Sequence, residues 1–139
     1  MPSCSADSGS DVTEYLDLDD LLAAARAALG HEPEIQDWGL LQSALVRPQA
    51  VVFGTDPYPT LAEKAGALLH SLVRNHALLD GNKRLGWVAV RLFAVLNDSD
   101  VRAPSVDEGE KFVLGVAAGE IELPEIHATL SAWGRWADR

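Results

Sequence analysis

The run His76-Ala77-Leu78-Leu79-Asp80-Gly81-Asn82-Lys83-Arg84 places an imidazole, a carboxylate, a glycine turn and two cations within nine residues. An imidazole ionises near neutrality, so His76 is a candidate general base. Asp80 offers a hard oxygen ligand of the kind Mg²⁺ takes beside phosphate and water. Gly81 can adopt the positive φ that lets successive backbone N–H groups converge on an anion, and Asn82 reads as an N-cap. Lys83 and Arg84 then fall in a first helical turn, where the macrodipole disfavours a cation by roughly 0.3–1 kcal/mol each. That placement makes sense if an anion sits there. A base, a metal ligand and a phosphate cradle are the parts of phosphoryl or nucleotidyl transfer. The plain structural alternative is an Asx-Gly turn with exposed Lys and Arg and a histidine at the core edge.

The chain that must position these groups has 139 residues, a single-domain length with room for one hydrophobic core. Its composition, 47% hydrophobic and 23% charged, is globular. A net charge of −10 argues against broad contact with DNA, RNA or anionic lipid. Residues 71–95 reverse that sign: Arg74, Lys83, Arg84 and Arg91 against Asp80 leave +3, so the other 114 residues carry −13. A cationic island in an acidic protein suits a compact anion better than a polyanion. No apolar run is long enough to span a membrane, the start lacks signal-peptide character, and one cysteine excludes an internal disulfide or Cys-rich zinc site. The expectation is a cytoplasmic domain with no membrane or direct nucleic-acid partner.

Residues 1–12, rich in Ser, Asp and Gly, read as a flexible tail carrying Cys4; residues 13–139 read as one domain. Asp17 can cap a helix to Leu29 with Gly30 as its stop, and Asp37 a second to about Val46. Residues 49–59 read as a hairpin or flap, from the β-prone Val51, Val52 and Phe53 and the turn-prone Gly54-Thr55-Asp56-Pro57. Thr60 and Glu63 have capping-box spacing for a helix to about Asn75, with Leu61, Ala65, Leu68, Leu69, Leu72 and Val73 as its buried stripe. After the break at residues 80–82 a helix to about Asn97 is apolar nearly all round, which predicts a central place. Ser105 and Glu108 repeat the capping-box spacing for a helix ending near Gly119. Pro124 opens a last helix over about 123–137. The fold class is all-α, about six helices with one small β-hairpin flap.

The nine-residue motif resembles that of the Fic/Doc superfamily, H-x-F-x-[D/E]-G-N-G-R-x-x-R in Fic proteins and H-x-F-x-[D/N]-[A/G]-N-K-R in Doc toxins. The upstream runs Tyr58-Pro59-Thr60-Leu61-Ala62-Glu63-Lys64-Ala65 and Leu69-His70-Ser71-Leu72-Val73-Arg74-Asn75-His76, and Glu14-Tyr15-Leu16-Asp17-Leu18-Asp19-Asp20-Leu21-Leu22, are similar to the Doc branch. Leu78 stands where the family usually has Phe, an apolar exchange that should keep a buried contact. Lys83 replaces the second Fic glycine, and Trp87 stands in place of the final Fic arginine that helps hold nucleotide for AMP transfer. Both departures match Doc. The resemblance implies a type II toxin-antitoxin toxin that transfers the γ-phosphate of ATP, with Mg²⁺, to a threonine of elongation factor Tu and arrests translation. It implies His76 as base, Asp80 as Mg²⁺ ligand, and Gly81, Asn82, Lys83 and Arg84 around phosphate. The flap at Val51, Val52 and Phe53 would dock the target by strand addition; a plain connecting hairpin is the alternative.

A cognate Phd-like antitoxin is implied too, its helical tail filling the active-site groove. The only Glu-Gly pair, Glu108-Gly109, lacks the upstream Ser or Thr of the Fic inhibitory stretch, and Trp87 removes the arginine it would engage. Restraint should therefore come from another chain. Two other functions stay open at this level: Fic-type AMP transfer, and a non-catalytic protein that blocks translation by binding. His31, His70 and His127 are scattered without metal spacing, and His70 reads as packing or capping. Trp38, Trp133 and Trp136 read as core or core-edge side chains, and Arg74 and Arg91 as surface residues. Glu63 is accounted for by its cap, while Lys64 has only a family counterpart.

Overall fold

The computed structural model describes residues 12–139; Cys4 and the expected tail up to residue 11 lie outside them. Six α-helices are present among the described residues: α1 Leu18–Leu29, α2 Trp38–Val46, α3 Leu61–Asn75, α4 Asn82–Leu96, α5 Val106–Ala117 and α6 Leu123–Trp133. A 3₁₀ turn, Arg47–Gln49, follows α2, and two short strands, β1 Asp100–Val101 and β2 Gly134–Arg135, complete the elements. Four helices start where a short polar side chain takes up an orphan N–H. Asp17 and Thr60 do so in reciprocal capping boxes with Asp20 and Glu63; Asp37 and Ser105 accept from Leu40 and Glu108. Gly30 ends α1 in the left-handed conformation, as its position predicts.

Helix α3 is the hub, packed against α2, α4, α5 and α6, while α1 packs on α4 and α2. Its expected stripe of Leu61, Ala65, Leu68, Leu69, Leu72 and Val73 is buried throughout. The backbones of α3 and α4 approach closely because Gly86 has no side chain; a Cβ there would stand 2.6 Å from Val73 Cγ2. Helix α4 is central, as expected, but not apolar all round in effect. Leu85, Ala89, Val90, Phe93 and Ala94 are buried, while Trp87, Val88 and Leu92 are half-buried and Val95 and Leu96 exposed. The reason is tertiary: α1 and α3 cover part of its surface, and another part borders an open groove.

Two further corrections concern β-structure. The hairpin over residues 49–59 contracts to one tight turn, with a single bridge between Val52 and Thr55. The two-stranded sheet forms instead between β1 and β2, antiparallel, Asp100 opposite Arg135 and Val101 opposite Gly134. The last helix accordingly stops at Trp133 rather than Ala137. Gly134 turns extended, and Trp136 folds back so that its indole N–H donates to Leu130 O at 2.9 Å. A Cβ on Gly134 would overlap that indole. Trp38 is also corrected, since it is 52% exposed rather than core. No helix among the described residues is long and apolar enough to cross a membrane.

The far end of α4 is clamped by Asn97, whose side chain is buried. Its amide accepts from Glu14 N and donates to Glu14 O and Phe93 O, at 2.7–2.8 Å. Arg139 adds a bond to Asn97 Oδ1 at 2.9 Å, another to Val12 O and an ion pair with Asp98. Both ends of the described chain thus converge on α4, the helix whose other end carries the motif.

Candidate active site

Helix α3 ends at His76, which takes the left-handed conformation (φ 53°, ψ 48°) and leaves its side chain exposed. Histidine is among the non-glycine residues that tolerate this region. The chain then pairs with the segment before α2: Ala77 O accepts from Gln36 N at 2.8 Å and Asp37 N at 3.1 Å, and Leu79 N donates to Glu34 O at 2.9 Å. Ile35 and Leu78 form an antiparallel bridge. Leu78 is buried in the core, so its exchange for the family's Phe keeps the apolar contact.

Asn82 does not cap α4. Its side chain turns back, accepting from Leu78 N and donating to Leu78 O, both at 3.0 Å. This pair of hydrogen bonds ties the loop into a closed ring, and the cap position passes to Gly81 (φ 88°, ψ 13°). Glycine suits that place: its positive φ is one that residues with a Cβ rarely adopt, and a Cβ would make the Leu29 side chain of α1 shift. No side chain caps the N-terminus of α4. Its first N–H groups thus lack a side-chain partner, beside exposed Lys83 and Arg84, with Asp80 exposed just ahead. Neither cation, nor Arg91, belongs to any ion pair among the described residues. An uncapped N-terminus with two unpaired cations has the electrostatics that favour an anion.

The comparisons with known proteins agree with that loop. The family model described as Fic/DOC family matches residues 15–94, from the approach to α1 through the motif into α4. The chain belongs to the Fic/Doc family. It is 46% identical over 123 residues to the protein named Toxin Doc of Mycolicibacterium smegmatis, covering 88% of this chain and 95% of that one. In this Fic/Doc domain the motif residues are brought to one loop and one helix start, as the spacing implies. No group of three or more His, Cys, Asp or Glu side chains that could hold a metal occurs among the described residues. Asp80 belongs to no such group, an arrangement that fits Mg²⁺ bound mainly through phosphate and water rather than a protein cage.

A groove of about 850 Å³ runs between α1, α4 and α5, within the range of ligand and peptide clefts. Lys83, Arg84, Trp87 and Arg91 line it from α4, Arg102 from the following segment, and Val106 and Leu114 from α5. It shares Lys83 and Arg84 with the motif; His76 and Asp80 lie outside its lining. Trp87 is braced edge-on by Trp133, at 6.2 Å between ring centres.

The flap lies elsewhere, and Val51, Val52 and Phe53 are all exposed on it. Two hydrogen bonds close its turn, Val52 N to Thr55 O and Thr55 N to Val52 O, at 2.8 and 2.9 Å. Phe53 and Gly54 both have positive φ, the type I′ pattern of a two-residue hairpin.

A polar network behind the flap is what reading the residues missed. Lys64, 4% exposed, donates to Asp56 Oδ2 at 2.7 Å and to Tyr58 O. Arg47 donates to the Tyr58 hydroxyl, His70 Nδ1 and Ser71 Oγ, at 2.9–3.0 Å. Asp56 is held below the usual carboxylate range, chiefly by its bond from Lys64. Burial pushes His70 and His127 down, and Arg47 and Arg74 add to the effect at His70. One signal was present: Lys64, three residues after Leu61 and four before Leu68, sits on the apolar stripe of α3, where a charge needs a buried partner.

Proposed function

We propose that this protein is a Doc-type toxin that transfers the γ-phosphate of ATP to a threonine hydroxyl of elongation factor Tu. The observation that carries the reading is the uncapped, left-handed start of α4, with unpaired Lys83 and Arg84 in its first turn and exposed His76 at the end of α3. Phosphate oxygens would lie against the backbone N–H groups after Gly81 and Asn82, and Lys83 and Arg84 would offset the charge spread over them. Asp80 would hold Mg²⁺, which when bound neutralises phosphate charge. The acceptor oxygen attacks the γ-phosphorus as the bond to the β–γ bridging oxygen breaks; ADP leaves, and His76 takes the hydroxyl proton. Trp87 in place of an arginine supports γ- over α-phosphate transfer, because the cation that would hold the nucleotide the other way round is missing.

The flap at Val51, Val52 and Phe53 would present its exposed apolar side chains and extended backbone to the target. A cognate Phd-like antitoxin would restrain the enzyme by laying an amphipathic helix in the groove between α1, α4 and α5. Acidic residues of that helix would meet Lys83, Arg84 and Arg91, and apolar ones Val106 and Leu114. The 46% identity to a protein named Toxin Doc supports both halves of this reading. The test is incubation of the protein with elongation factor Tu, Mg²⁺ and ATP labelled at either the γ- or the α-phosphate. Only the γ-label should reach the target. An α-label on the target would establish AMP transfer, and growth arrest without any label would establish a binding-only toxin.

A further inference from the structure

Lys64 is a cation placed where neither burial nor the helix favours it. It sits in the first turns of α3, at the positive end of the macrodipole, and is almost fully buried. A methionine or leucine would extend the apolar stripe at lower cost, since buried ion pairs are often matched or exceeded in stability by apolar residues of similar size. Its bonds all run in one direction. The ammonium holds the Asp56 carboxylate and the Tyr58 carbonyl, and Asp56 Oδ1 in turn accepts from Tyr58 N at 2.8 Å. Every one of these partners belongs to the segment that returns from the flap tip to α3.

Arg47 anchors the same segment from the 3₁₀ turn that leads into the flap. Its guanidinium has only donors, so His70 Nδ1 must accept and His70 is neutral in this contact. With Ser71 and His70 fixing the guanidinium on α3, Nε donates to the Tyr58 hydroxyl at 2.9 Å. Tyr58 also meets the His127 ring of α6 edge-on, at 6.1 Å. The tip itself, by contrast, touches little: Phe53 is fully exposed and its turn is closed only by the Val52 and Thr55 bonds.

We infer that Lys64 and Arg47 are positioning residues that fix the direction in which residues 51–53 present their side chains to a protein target. This rests on the flap-docking part of the proposed function. Substituting Lys64→Met should raise KM for the protein target about tenfold, with kcat at saturating target and nucleotide affinity within about twofold. Arg47→Met should act in the same direction. Asp56→Asn, on a half-exposed partner, serves as the second variant if a buried change prevents folding. Hydrogen exchange provides the readout independent of activity. The Val52, Thr55 and Tyr58 amides should exchange at least tenfold faster in the variants, while those of α3 and α4 keep their protection. Unchanged flap exchange would overturn the anchoring, and faster flap exchange with unchanged KM would overturn its role in presentation. If the unaltered protein labels no elongation factor, the proposed function fails instead, and the exchange measurement still decides whether the anchors hold the flap.

Discussion

Phe53 gives the sharpest test, because its effects on stability and on function should have opposite signs. The side chain is 102% exposed, so folding gains nothing by burying it. Its φ of 52° puts a bulky residue in the left-handed region, which costs roughly 1–2 kcal/mol for a residue with a Cβ. Asparagine tolerates that region, and Asn-Gly is the preferred pair for a type I′ turn. Phe53→Asn should therefore relieve most of the strain without losing a contact, a gain of about 1 kcal/mol. An unfolding entropy of about 2.1 cal/mol/K per residue over 139 residues converts that gain to a rise in Tm of about 3 °C. If the phenyl ring is an anchor for the target, its removal should cost about 2 kcal/mol of binding, or roughly 30-fold in KM. Calorimetry and a γ-phosphate transfer assay across target concentrations measure the two effects. A Tm that falls or stays put would refute the strain reasoning. A higher Tm with unaltered KM would refute the docking role.

Other substitutions address the motif and its surroundings. His76→Asn, which keeps a residue suited to the left-handed position, should lower the transfer rate about 10²–10⁴-fold with Tm nearly unchanged; a folded variant with full rate would exclude His76 as base. Gly81→Ala places a Cβ at a positive φ against the Leu29 δ-methyl groups, which must shift, and should cost about 1–2 kcal/mol, read as a lower Tm. His70 and His127 have lowered affinities for a proton in the fold, so the unfolded chain binds more protons as pH falls below about 6.5. Stability is therefore fully present above that pH and is lost as pH drops through the folded-state pKa values. Thermal unfolding between pH 7.5 and 5 should show Tm falling, and His70→Asn, which retains an acceptor for Arg47, should flatten the slope. A wild-type Tm independent of pH over that range would contradict this.

Local chemistry decided much of what could be read in advance. Short-range rules name the start of four helices from Asp17, Asp37, Thr60 and Ser105, because a cap involves only residues three apart. The motif is legible for the same reason: His76 to Arg84 are contiguous, so a loop and one helix start suffice to gather them. The positive φ at Gly81, read from the N–H groups it lets converge before α4, is present in the fold. Tertiary structure decided the rest, wherever a partner lies far along the chain. Strand β2 exists because β1, some 34 residues earlier, offers an edge, and a local helix signal running to about Ala137 gives no sign of it. Asn82, which local rules make an N-cap, serves Leu78 instead because the loop is already pinned to residues 34–37. Lys64 shows the limit most clearly. Helical spacing places it on the buried stripe, but only the return of the chain from the flap supplies the Asp56 carboxylate and Tyr58 carbonyl that make a buried ammonium tolerable.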